Sequence, residues 1–113
     1  MSGWRRLSGH EFHATVAATR GVALVMLGSS DCGVCRAAHA RAPDLSAGLV
    51  DVFFELDAGE AGAVAREYGT FHLPDFFLFR DGVFHARYSA PLEAQAWRAA
   101  LAAALAAPAK EEP

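Results

Sequence analysis

Val22-Ala23-Leu24-Val25-Met26-Leu27-Gly28-Ser29-Ser30-Asp31-Cys32-Gly33-Val34-Cys35-Arg36 is the stretch on which the fold turns. Its first six residues are apolar without alternation, the pattern of a short strand covered on both faces. Gly28-Ser29-Ser30-Asp31 breaks that run, and residues 33–49, rich in Ala and Arg, read as a helix with Pro43 inside. Proline lacks an N–H and crowds the preceding turn, so a kink or interruption is expected there. A buried strand feeding a helix is half of a strand–helix–strand unit. Cys32 and Cys35 sit at the junction.

The flanks complete the pattern. Ser8 or Gly9 can cap a first helix carrying Phe12 and Val16 on one face, with Glu11 three residues after Ser8 and Gly21 as its stop. Val52-Phe53-Phe54-Glu55-Leu56 reads as a second strand and residues 60–68 as a short helix ended by Gly69. Phe76-Phe77-Leu78-Phe79 is a third strand, Arg80-Asp81-Gly82 a hairpin turn and residues 83–88 its return. Pro91 opens a last helix with Leu92, Trp97, Leu101 and Leu105 along one side. Residues 1–7 offer a short edge strand on the thin evidence of Trp4 and Leu7. The expectation is an α/β domain over 1–107, with a mixed sheet of four or five strands between helices on both faces. A frayed polar tail is expected over 108–113.

Composition narrows the function classes. The chain has 113 residues, 53% of them hydrophobic and 20% charged, which suits a single folded domain and argues against disorder. Net charge is −3 and the ten Lys and Arg are scattered, leaving no electrostatic footprint for a nucleic acid. No apolar run approaches the ~20 residues that a bilayer requires, and the first twenty residues lack a signal peptide's apolar centre. A cytoplasmic, membrane-free protein is therefore expected. In that compartment paired thiols are usually catalytic, redox-sensing or metal-binding.

Cys32 would lie at a helix N-terminus, where unpaired N–H groups and aligned peptide dipoles favour an anion. A free thiol has a pKa of about 8.5, and such a position lowers it. The thiolate is the attacking species in disulfide exchange. Cys35, one turn inward, is placed to resolve the mixed disulfide, and Gly33 has no side chain to obstruct a substrate. Asp31 and Arg36 oppose each other in their effect on Cys32. Zinc binding is the rival reading, but a structural site wants four ligands and only histidines are left over. His39, one turn beyond Cys35, could add a ligand; a solvated side chain is its plainer reading. His10, His13 and His85 have no recognisable partners and read as surface or strand-edge residues.

The arrangement resembles the thioredoxin family over nearly the whole chain. Three segments carry the likeness: the apolar strand into Cys32-Gly33-Val34-Cys35, Leu73-Pro74 before the strand at Phe76, and the Phe79-Arg80-Asp81-Gly82 hairpin. The resemblance implies a three-layer α/β/α sandwich and a thiol–disulfide oxidoreductase that needs no cofactor or metal, since electrons pass between sulfurs. Its catalytic residues would be Cys32 and Cys35. It further implies a cis bond at Pro74 facing the dithiol, with Leu73 pairing to an extended substrate. Gly33, Val34, His72, Leu73 and Pro74 would bind substrate. Partners would be protein disulfides or dithiols and an upstream reductase, with the chain a monomer.

The departures matter too. Asp31 replaces the family's usual Trp, Val34 its usual Pro, Met26 its buried acid and Phe53 the neighbouring lysine. Deprotonation of Cys35 would then need water or another group, and His72, two residues before Pro74, is the candidate; an exposed loop histidine is the alternative. These losses also admit a fold-sharing chaperone, assembly factor or interaction module with little turnover; a metallochaperone using Cys32, Cys35 and a histidine is a third reading.

Overall fold

Chain order runs β1 (Trp4–Arg6), α1 (Phe12–Ala17), β2 (Val22–Gly28), α2 (Gly33–Leu45), β3 (Val52–Asp57), α3 (Gly62–Glu67), β4 (Asp75–Arg80), β5 (Val83–Tyr88) and α4 (Ala94–Ala106). The computed structural model describes residues 3–113, so Met1 and Ser2 of the expected edge strand lie outside the described residues. The strands form one sheet in the order β1-β3-β2-β4-β5. β1, β3 and β2 are parallel, while β4 and β5 join antiparallel. This is the expected mixed sheet with its fifth strand present.

β2 lies at the centre, which explains its lack of alternation: both of its faces are covered. Ala23, Val25 and Leu27 meet Phe12 and Val16 of α1 and Val64 of α3 on one side. Leu24 and Met26 meet Ala38 and Ala42 of α2 and Trp97 and Leu101 of α4 on the other. Phe77 and Phe79 join the first core, Phe76 and Leu78 the second. β2 and β4 thus divide their side chains between two apolar layers, as the pleat requires. The hairpin places Asp81 at φ 50° and Gly82 at φ 82°. A side chain at Gly82 would run into the backbone of Ala17.

Several boundaries moved for local reasons. α2 stops at Leu45, with Ser46 N–H bonded to Ala42 O at 2.9 Å and the chain turning through 46–49. Pro43 stays inside the last turn without ending the helix earlier. Its missing N–H would have faced His39 O, and that carbonyl instead accepts from Trp4 Nε1 at 2.8 Å. α3 starts at Gly62 because Glu60 N–H is taken by Asp57 Oδ2 at 3.0 Å in the preceding turn. α4 starts at Ala94, not Pro91: Glu93 is the extended cap, its carboxylate accepting from Gln95 and Ala96 N–H.

The expected surface position of His85 is corrected. His85 is 4% exposed, and its Nε2 lies 2.7 Å from Ala104 O. The β4–β5 register slips between Leu78 and Phe79, where Phe79 opposes Phe84 and Leu78 opposes Ala86; this leaves His85 as the extra residue, facing α4. Residues 108–113 are exposed and without regular structure, with two contacts to the domain: Lys110 N–H donates to His85 O at 2.7 Å, and Tyr68 OH donates to Glu112 Oε2 at 2.5 Å. His13 also has a partner, Glu67, at 2.8 Å.

Tyr88 is buried between the sheet and α4, its hydroxyl donating to Trp97 O at 2.6 Å. Burial pushes its phenol up to about 12. The folded value lies above the ordinary 10.0, so this contribution to stability is intact below about pH 10 and is lost as pH rises towards 12. Denaturant titrations across that window are expected to show Tyr88→Phe losing less stability than the parent, by about 1–3 kcal/mol. Equal losses would mean that Tyr88 ionises as freely in the folded protein as in the unfolded one.

Candidate active site

β2 ends at Gly28, and the loop over 29–31 delivers Cys32 to the N-cap of α2 with φ −95° and ψ 113°. The cap acceptor is the sulfur itself: Cys32 Sγ receives Cys35 N–H at 3.1 Å. A helix N-terminus thus directs a free donor at the atom on which negative charge would develop. Arg36 Nη1 fastens the loop by donating to Ser30 O at 2.8 Å. Cys32 is half-buried and Cys35 is 4% exposed, and the two are joined as a disulfide with Cα atoms 5.1 Å apart. Room for the inner sulfur comes from Gly28, where a Cβ would stand 3.2 Å from Cys35 Sγ.

The loop between α3 and β4 faces this pair. The Leu73–Pro74 bond is cis, and Leu73 O lies 3.8 Å from Cys32 Sγ. Asp75, 3% exposed, anchors the loop's far end by accepting from Thr70 Oγ1 at 2.8 Å and pairing with Arg87 Nε at 3.2 Å. Val34, His72, Leu73, Pro74, Tyr88 and Leu92 line a groove of about 240 Å³ beside the sulfurs. Gly33 is exposed at the first position of α2, Val34 is 60% exposed, and Phe71, next to His72 in the chain, is 89% exposed. Cys32 therefore lies against Leu73 beside the groove that Val34, His72, Leu73 and Pro74 line, with Gly33 exposed next to it, while Cys35 opens onto a second cavity.

His72 is exposed, its ring 5.0 Å from that of Phe71. It lines the groove and not the cavity onto which Cys35 opens. His72→Ala is expected to leave the pH profile of disulfide exchange unchanged while raising KM for a protein disulfide a few-fold. A shifted pH profile would return His72 to proton transfer.

That second cavity holds the residues that the sequence reading missed. About 130 Å³ in volume, it is lined by Cys35, Arg36 and His39 of α2, Glu55 and Asp57 of β3, and Arg6 of β1. His39, weighed above as a metal ligand or a solvated side chain, donates from Nε2 to Glu55 Oε2 at 2.9 Å and stacks on Trp4 at 5.4 Å. The signals were present: His39 stands four residues after Cys35, and Glu55 is an acid set within the apolar run 52–56. Among the described residues, no group of three or more His, Cys, Asp or Glu could hold a metal ion. No helix of the described residues is long and apolar enough to cross a membrane.

A family model described as Thioredoxin matches residues 4–103. Among solved structures, the human ERp44 zinc-bound form aligns at TM-score 0.70 and 19% identity, covering 88% of this chain but 30% of that one. A chain from a structure described as the structural basis of the thiol resolving mechanism in yeast mitochondrial 1-Cys peroxiredoxin via glutathione/thioredoxin systems aligns at TM-score 0.65 and 19% identity. That alignment covers 77% of this chain and 83% of the other. At such identities the likeness concerns the fold alone. Curated protein sequences contain no match to this chain.

Proposed function

The chain belongs to the thioredoxin family, and on that premise we propose that it exchanges disulfides with protein substrates through Cys32 and Cys35. The observation that carries this reading is the sulfur cap: Cys32 Sγ is within reach of solvent and already accepts a helix N–H. In the reduced protein that donor favours the thiolate. The Cys32 thiolate attacks a substrate disulfide, forming a mixed disulfide and expelling one substrate thiolate. Cys35, as thiolate, then attacks Cys32 Sγ. The Cys32–Cys35 bond forms, the mixed disulfide breaks, and the second substrate thiolate leaves. Two electrons have passed to the substrate and the dithiol is oxidised; the reverse sequence oxidises a substrate dithiol.

Substrate backbone would lie along Leu73, with Gly33, Val34, His72 and Pro74 forming the docking surface. On this reading the partners are a protein disulfide or dithiol and an upstream reductase, and the protein works as a cytoplasmic monomer within a domain spanning 1–107. The test is to equilibrate the Cys32–Cys35 pair with glutathione buffers and to measure turnover of an insulin-type disulfide with a chemical reductant. A reversible two-electron transition together with turnover is the expected result. Stable partner binding with no turnover and no dependence on either cysteine would favour an interaction module instead.

A further inference from the structure

Cys35 poses a proton problem that the groove side of the site does not solve. Its thiol is 4% exposed, yet it must ionise to attack Cys32. Met26, whose Cε would stand 4.0 Å from a Cβ at Gly28 where Cys35 Sγ would stand at 3.2 Å, offers no exchangeable proton. The outlet is the cavity on the other side of Cys35. Met26 and Glu55 are register partners on the parallel strands β2 and β3, so both side chains emerge on the face that α2 covers. His39, one turn along α2 from Cys35, meets the Glu55 carboxylate from above. Cys35, His39 and Glu55 then line one cavity of about 130 Å³, with room for several water molecules.

We infer that Glu55 accepts the Cys35 proton, directly or across cavity water, with His39 as the positioning residue that fixes its carboxylate. This deepens the exchange reading above and rests on it. In the step, the Cys35 S–H bond breaks and the proton goes to a Glu55 oxygen. The sulfur's electron pair forms the bond to Cys32 Sγ, and the substrate thiolate departs. Glu55 afterwards releases the proton to solvent through the open mouth of the cavity. The other charged groups facing this space are committed elsewhere. Arg6 pairs with Glu60 at 3.2 Å, Arg36 donates to Ser30 O, and Asp57 Oδ2 accepts from Glu60 N–H. Glu55 has His39 as its partner and faces the inner cysteine's cavity.

Mixing the reduced protein with one equivalent of dithionitrobenzoate separates the two chemical steps. The first aromatic thiolate released reports attack by Cys32, and the second reports resolution by Cys35. Glu55→Gln, which keeps an oxygen for His39, is expected to leave the first release unchanged and slow the second about 10²-fold near neutral pH. The second release should then rise in proportion to hydroxide; Glu55→Asp should recover part of the rate, and Asp57→Asn should match the parent. A second release in Glu55→Gln with the parental rate and pH profile overturns the inference. Equal slowing of both releases, or a loss that follows Asp57→Asn, overturns it as well. No release from the parent protein would instead overturn the exchange reading itself.

Discussion

Cys32→Ser is expected to bring turnover of an insulin-type disulfide down to the uncatalysed rate, and Cys35→Ser to stop the reaction halfway. The asymmetry follows from position. Cys32 is half-buried, caps α2 and lies 3.8 Å from Leu73 O, so it is the sulfur that a docked chain can reach. A serine hydroxyl there is hardly ionised at neutral pH, and without the thiolate no mixed disulfide forms. Cys35, 4% exposed beneath it, cannot take over. With Cys35→Ser the first attack proceeds, but nothing expels the second substrate thiolate, so a covalent complex accumulates. Non-reducing electrophoresis and intact mass would show that adduct for Cys35→Ser and none for Cys32→Ser. Adducts in both variants, or turnover surviving in either, would remove the assigned order of attack.

The largest effect on stability is expected at Trp97. It is 0% exposed, packs edge-on to Phe76 at 5.5 Å and to Tyr88 at 4.9 Å, and donates from Nε1 to Ser46 Oγ at 2.8 Å. Truncation to alanine combines the lost burial with a cavity in the α2/α4 core, costing about 3–5 kcal/mol. That is a large share of what a domain of this size holds in reserve. Trp97→Phe keeps most of the volume and mainly removes the donor to Ser46, itself 0% exposed, so a smaller loss of about 1–3 kcal/mol is expected. Urea melts of both variants test this. A cost below about 1 kcal/mol for the alanine variant would mean that the core collapses around the gap.

The residues differ in how plainly they declare their places. The apolar run 22–27 reads as a covered strand from its length and its bounding glycines, and the Asp81-Gly82 pair as a tight hairpin, because each states a local requirement in its own chemistry. Ser8 and Glu11 likewise exchange their two capping bonds, at 2.8 and 3.2 Å, although the helix begins only at Phe12. The dithiol and its facing proline were legible through spacing and resemblance together. His85 was not, because a one-residue bulge against β4 decides its direction and alternation alone cannot announce a slip. Nor were the tail contacts, which depend on Tyr68 and His85 being brought within reach from 25 or more residues away. Glu55 was hidden for a related reason: its value comes from register with Met26 and from a histidine on another element.

Pro43 leaves one last consequence. By withholding a single amide hydrogen it frees a carbonyl on α2, and the indole of Trp4 on β1 holds that carbonyl while stacking on the same residue's ring. The outermost strand of the sheet is thereby tethered to the helix that bears Cys32 and Cys35. The border strand and the helix that Cys32 caps are thus joined by one indole, four residues along that helix from Cys35.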